Sequence, residues 1–150
     1  MGVSEKKQIS FGKLITKAKF ESSGFIPSKV QSHIKSTPYY LMIYIPADDI
    51  IKISVFPCEN SSIQKILIRL KEFSPDLVKG ISDVLKNFNL GDGTIHTTGL
   101  CFESINCFYE TYLDSTLIKT RKVTIDRIKE EFLKVPRVEE VSIINIEPEE

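Results

Sequence analysis

The chain holds only two histidines in 150 residues, His33 and His96. Catalysis centred on imidazole therefore has few possible members, no catalytic constellation emerges, and the chain is not expected to be an enzyme. Cysteine is nearly as scarce. Cys58, Cys101 and Cys107 are odd in number and show no C-x-x-C spacing, which argues against a disulfide framework or a zinc knuckle and leaves partly buried thiols as the expectation. No G-x-x-x-x-G-K-[ST] order occurs, and Gly91-Asp92-Gly93 precedes a strand rather than a helix, so it reads as a turn and not as a phosphate loop. No apolar run approaches the roughly 20 residues of a membrane span, and the N-terminus lacks the charged-then-apolar order of a signal peptide. The expected compartment is the cytoplasm, with no membrane partner.

What is present is ordinary for one globular domain or two small ones: 41% hydrophobic residues and 27% charged. Net charge is zero but unevenly placed. Residues 1–57 carry eight lysines against four acids, and residues 58–150 carry twelve bases against sixteen acids. The asymmetry points either to a polyanion partner for the N-terminal part or to a plain solvated lysine surface. Asp48-Asp49, Glu130-Glu131 and Glu139-Glu140 are adjacent acids, which diverge on a helix or strand rather than converge on one ion. His96, Cys101 and Cys107 are metal-ligand types, but His96 and Cys101 are five apart and so belong to opposite strand faces. No metal or cofactor is expected.

The stretch Ile63 to Glu147 changes hydrophobic period in the order strand, helix, strand, strand, helix, strand, a βαββαβ unit. Ile66, Ile68 and Leu70 alternate with Lys65, Arg69 and Lys71, giving one apolar and one charged face, and that strand is expected to end near Phe73. Ser74 is a cap, Pro75 suits the first turn, and Leu77, Ile81, Val84, Leu85 and Phe88 recur at helical spacing, predicting a helix over 75–89. After the glycine turn, Thr94–Phe102 and Asn106–Leu113 read as a hairpin joined by Glu103-Ser104-Ile105. Ile125, Ile128, Phe132 and Leu133 follow Thr124 at helical spacing, Pro136 stops that helix, and Val141–Ile146 closes the unit.

The run Phe73-Ser74-Pro75-Asp76-Leu77, the strand Gly93-Thr94-Ile95-His96-Thr97-Thr98-Gly99 and the ending Lys134-Val135-Pro136-Arg137-Val138-Glu139-Glu140-Val141 resemble the ACT domain family of small-molecule sensors. The resemblance implies a ferredoxin-like fold and a small ligand, an amino acid among the candidates, held between two protomers of a homodimer or higher homo-oligomer. Carried onto this sequence, it gives Ser74, Asp76, Leu77, His96, Thr97 and Thr98 as ligand contacts. The family's usual turn is Pro-Gly-x-Leu, whose glycine lets the backbone approach the ligand. Here Asp76 stands in its place, and its carboxylate either binds an ammonium group or blocks the approach. For His96, an ordinary hydrogen-bonded strand histidine is the plainer alternative.

In the N-terminal part, residues 1–8 read as frayed and Ile9–Phe20 as β-leaning, followed by turn chemistry at Glu21-Ser22-Ser23-Gly24. A short helix is expected after Pro27, with Ser28 as its cap and Val30 and Ile34 on one side. Tyr39–Ile45 and Ile50–Phe56 then form a hairpin across Pro46-Ala47-Asp48-Asp49. Tyr39, Tyr40 and Tyr44 either stack on bases or serve as core and cross-strand pairs. Gly24-Phe25-Ile26-Pro27-Ser28-Lys29-Val30, Ile34 and the hairpin ending at Pro57 resemble the AbrB-type swapped-hairpin DNA-binding fold. That resemblance implies an interlaced dimer with double-stranded DNA as partner, and Lys13, Lys17, Lys19, Lys29 and Lys35 are the candidate phosphate contacts. The sequence departs from the family at Pro38-Tyr39, where a glycine-acid pair is usual, and has no arginine before Arg69. The alternative is a β-rich extension of the following sheet.

Together these readings give an α+β chain: a β-rich module with a short helix over 1–58, a linker over 59–62 and a ferredoxin-like, ACT-like domain over 63–150. The expected role is a dimeric regulator, of transcription if the DNA reading holds, that senses a small molecule. The alternatives are a ligand-free assembly protein and a regulatory subunit of a separate enzyme.

Overall fold

Runs of isoleucine, tyrosine, leucine and threonine become strands, and polar caps mark where helices begin. The structure, a computed structural model, describes residues 8–102, 106–116 and 124–149. The elements are β1 (Phe11–Thr16), α1 (Lys17–Ser22), α2 (Ser28–Gln31), β2 (Tyr39–Pro46), β3 (Ile51–Cys58), β4 (Ile63–Leu70), α3 (Pro75–Asn87), β5 (Thr94–Phe102), β6 (Asn106–Asp114), α4 (Ile125–Leu133), β7 (Val138–Ile146) and β8 (Pro148–Glu149). The chain is α+β, with two four-stranded sheets and four helices among the described residues. The link Glu103-Ser104-Ile105 and residues 1–7 lie outside the described residues.

The chain divides into a smaller unit, Ser10–Ser62 with residues 146–149, and a larger one, Ile63–Asn145 with residues 8 and 9. A boundary near residue 62 was expected, but the termini are exchanged. Two sets of contacts cause this. In the smaller unit β8 runs parallel to β1, with Leu14 opposite Pro148 and Ile15 opposite Glu149, and Lys13 Nζ reaches the Glu149 carboxylate at 2.7 Å. In the larger unit the Ile9 N–H donates to Glu110 Oε2 at 2.8 Å.

In the larger unit the strand order is β5-β6-β4-β7. β4 lies antiparallel to β6, with Ile66 opposite Thr111 and Leu70 opposite Cys107, and β5 lies antiparallel to β6 on its other side. Ser74 caps α3 by accepting the Leu77 N–H, with Pro75 in the first turn, and Thr124 caps α4 by accepting the Arg127 N–H. Leu77, Ile81 and Leu85 of α3 and Ile128 and Phe132 of α4 join Ile66, Ile68 and Leu70 in a single buried cluster. Both helices therefore cover the same face of the sheet. A glycine permits a close approach: a Cβ at Gly80 of α3 would lie 2.8 Å from Val135 Cγ1. The strand β4 ends at Leu70, short of Phe73, and β7 begins three residues earlier than expected, at Val138.

The other face of this sheet carries Lys65 and Arg69 as their alternation predicts, but not both of them meet water. Arg69 is exposed and pairs with Glu139 at 3.1 Å, but Lys65 is 1% exposed. Its ammonium lies 2.9 Å from Glu110 Oε1, donates to Gln8 Oε1 at 2.8 Å and sits 5.3 Å from the centre of the Tyr112 ring. The thiol expectation also needs correction. Cys101 and Cys107 stand directly opposite each other in the β5–β6 ladder and are joined by a disulfide. Facing positions of an antiparallel pair bring Cβ atoms within reach of one another, and the spacing of the two cysteines shows this only once the hairpin register is known. Cys58 keeps its thiol, buried, with the S–H donated to the Phe56 carbonyl.

In the smaller unit the order is β3-β2-β1-β8. The run Ile9–Phe20 is β-leaning in sequence, but β1 ends at Thr16, whose hydroxyl accepts the Lys19 N–H and starts α1. Phe20 on α1 then stacks on Tyr40, ring centres 4.0 Å apart, so Tyr40 is a core residue. Its hydroxyl donates to the Lys35 carbonyl at 2.9 Å and accepts the Thr37 N–H at 3.2 Å. Helix α2 is a single turn in which Ser28 is the first residue and not the cap. Val30 is 55% exposed, so it and Ile34 do not share a buried side.

Removing one member of a buried ion pair strands the other without water. Lys65→Met or Glu110→Gln alone is expected to destabilise the protein by about 3–5 kcal/mol, whereas Lys65→Met with Glu110→Leu should cost less than the sum of the two. Urea unfolding curves check this. Single-variant losses no larger than those of exposed substitutions would contradict the pair's burial.

Candidate functional site

The loop after β4 is where the larger unit gathers chemistry. Arg137, at φ 75° in the turn before β7, donates from Nη1 to Ser74 Oγ at 3.0 Å and from Nε to Glu72 Oε1 at 2.9 Å. Its carbonyl accepts the Lys71 N–H at 3.2 Å. One arginine thus fixes both ends of the loop, and Ser74 Oγ is simultaneously the helix cap, 3.2 Å from the Leu77 nitrogen. Phe73, between them, lies over Gly99 of β5. A Cβ at Gly99 would come within 2.9 Å of Phe73 Cζ, so the ring's position depends on glycine.

From Phe73 an open groove of about 750 Å³ runs along α3, lined by Ser74, Pro75, Val78, Lys79, Ser82, Asp83 and Lys86. Its walls are mainly apolar, and Val78 is 45% exposed. Two lysines and one aspartate on the same stripe supply charge of both signs. Such a surface can hold a small amphipathic or zwitterionic molecule by burying its apolar part and pairing its ends.

The six ligand contacts taken from the resemblance do not converge. Ser74 lines the groove. Asp76 is exposed in the first turn of α3, where a carboxylate suits the positive end of the helix dipole. Leu77 points into the core and is 2% exposed. Thr97 lies opposite Thr111 on the helix-covered face, the two hydroxyl oxygens 2.9 Å apart. His96 and Thr98 belong to the opposite face, by their register with Tyr112 and Glu110, and His96 Nε2 lies 2.9 Å from Thr98 Oγ1. His96 and Cys101 thus do point to opposite sides of the sheet. Burial holds the His96 imidazole below its usual pKa and, on the other face, pushes the Tyr109 phenol up, partly offset by a hydrogen bond to Thr97. Among the described residues no group of three or more His, Cys, Asp or Glu side chains is placed to hold a metal ion.

Sequence reasoning missed Phe73, Arg137, Lys79, Ser82 and Lys86. A glycine inside a β-branched strand is a recognised sign of close approach, and Gly99 was the available clue to Phe73. Nothing local marks Arg137 as the partner of a loop more than sixty residues earlier.

In the smaller unit candidate phosphate contacts are already engaged with carboxylates. Lys13 pairs with Glu149 at 2.7 Å, Lys17 with Glu21 at 3.7 Å and Lys35 with Glu59 at 2.9 Å. The hydrogen bond that Lys13 donates to Glu149 raises the Lys13 pKa above its usual value. Lys29 is exposed and Lys19 half-buried. Exposed pairs of this kind are screened by water and weak, so each is exchangeable with a stronger anion. A second, polar hollow of about 490 Å³ opens between α1 and α2, where Gln31 Nε2 donates to the Phe20 and Ile26 carbonyls. No family model and no curated protein matches the chain.

Because burial disfavours the imidazolium, the His96 ring should titrate with a midpoint below 6.5. The stability contributed by its neutral form is complete above that value and is lost as the pH falls through the lowered folded midpoint. Imidazole NMR resonances, assigned with a His33→Asn variant, give the midpoint directly. A value at or above 6.5 would place the ring in a different environment.

Proposed function

We propose that the larger unit is a ferredoxin-like, ACT-type regulatory module that works as a homodimer and binds a small molecule, an amino acid being the leading class, in the groove beginning at Phe73 and Ser74. The observation that carries this reading is the strand order β5-β6-β4-β7 in a βαββαβ chain with both helices on one face. The Phe73–Gly99 contact supports it further, since it joins the turn expected to hold the ligand to the strand expected to line it.

Pairing is supported by the edges of the sheets. Strand edges are ordinarily protected by lysine, proline, other charges or shortness. β3 has Lys52 and Pro57, β7 has Glu139 and Glu140, and β8 is two residues long with Pro148. β5 runs for nine residues without lysine, arginine, aspartate, glutamate or proline, and Leu100 on it is 42% exposed. Among the described residues its protective feature is a bulge between Thr94 and His96. Addition of the same strand from a second copy would satisfy this edge symmetrically. The second reading, pairing without a ligand or as a subunit attached to a separate enzyme, is favoured by the scatter of His96, Thr98 and Leu77 away from the groove. For duplex DNA as partner of the smaller unit, the lysine excess is the supporting feature, and the ion pairs at Lys13, Lys17 and Lys35 weigh against it.

The test is calorimetry and thermal melting against the twenty amino acids, with sedimentation velocity for the pair. A true ligand at 100 times its Kd should stabilise the protein by about 2.7 kcal/mol, and Val78→Arg should remove that gain. Leu100→Lys should convert the dimer to a monomer. Absence of both heat and a melting shift for every amino acid would sink amino-acid sensing and leave pairing alone.

A further inference from the structure

We propose that the Cys101–Cys107 disulfide is an exchange site for a small charged thiol, and that exchange there controls pairing through β5. The control rests on the pairing reading above, while the exchange chemistry does not. The two sulfurs are unequal. Cys101 is exposed near the end of β5, whereas Cys107 is 0% exposed and belongs to the core cluster opposite Leu70. An incoming thiolate therefore meets the bridge from the Cys101 side.

The step balances without any further reactant. The thiol's sulfur bonds to Cys101 Sγ, the Cys101–Cys107 S–S bond breaks, and its electron pair leaves on Cys107 Sγ, which takes up the proton shed by the attacking thiol. The product is a mixed disulfide at Cys101 and a neutral thiol at Cys107. A buried cysteine thiol behaves as a small apolar group, so the core tolerates this product. Attack by Cys107 on Cys101 Sγ reverses the step, expels the small thiol and restores the bridge. A second molecule of thiol instead carries the reaction to two free cysteines and the oxidised small thiol.

The effect on assembly follows from where the adduct sits. β5 is the edge strand that lacks charged residues and proline, and a charged thiol carried on Cys101 would add charge of the kind that opposes strand addition. Exchange and pairing then compete for one strand: the bridged form pairs, and the adduct-bearing form does not.

Glutathione serves as the probe. The full chain is incubated without denaturant in graded mixtures of its reduced and oxidised forms, then analysed by intact mass, peptide mapping and sedimentation velocity. The expected result is one glutathione per chain, mapped to Cys101, with loss of the dimer in proportion to the adduct. Cys107→Ala should take up glutathione fully at Cys101, and Cys101→Ala should take up none, since Cys58 and Cys107 are buried. An adduct at Cys107 or Cys58, or none at all on the native chain, would overturn the exchange site. A dimer that persists with the adduct in place but is broken by Leu100→Lys would overturn the control and leave the pairing reading standing. A chain that is monomeric in every mixture would overturn the pairing reading and the control together, with the mass data still deciding the exchange.

Discussion

The larger unit depends on an ammonium group that water does not reach. Lys65 sits in the middle of β4, and burial pushes its pKa below the usual 10.5 against the opposing pull of Glu110. Neither charge is tolerable there alone, so the two must face the same side of the sheet at neighbouring positions. This fixes the pairing of β4 with β6, because a slip by one residue would turn Lys65 toward Ile81 and Phe132. The same pair captures residues 8 and 9, through the Gln8 amide oxygen and the Ile9 N–H. With that face committed, Ile66, Ile68 and Leu70 are left to the helices.

Much of this was legible in the residues. Ser74, Pro75 and the three- and four-residue spacing of Leu77, Ile81, Val84 and Leu85 announce α3, and the observed helix stops two residues short of the expected span. Thr124 and Pro136 bracket α4 in the same way. The two hairpins were legible because turn residues separate strongly β-forming runs. Capping and periodicity are local, and local rules carry such elements well.

Part of what escaped was set by partners distant in the chain. Lys65 shares its alternation with Arg69, and only the position of Glu110 distinguishes a buried cation from an exposed one. Thr16 was unreadable as a cap because Leu14 and Ile15 continue the β pattern up to it. The disulfide had a signal, since Cys101 and Cys107 are equidistant from Ser104 in the centre of the link. Reading it required the hairpin register first. The candidate site was legible at Ser74 but not at Phe73 or Arg137, whose roles depend on Gly99 and on the turn before β7.

The exchanged termini also constrain how the protein is made. The fourth strand of the smaller unit is supplied by residues 148 and 149, after the whole of Ile63–Asn145 has been translated. On the ribosome that sheet waits, three strands wide, while the later unit emerges. Neither unit is encoded by one uninterrupted stretch of gene, and a protease nick between residues 62 and 63 would leave two fragments that each still own a piece of the other's fold.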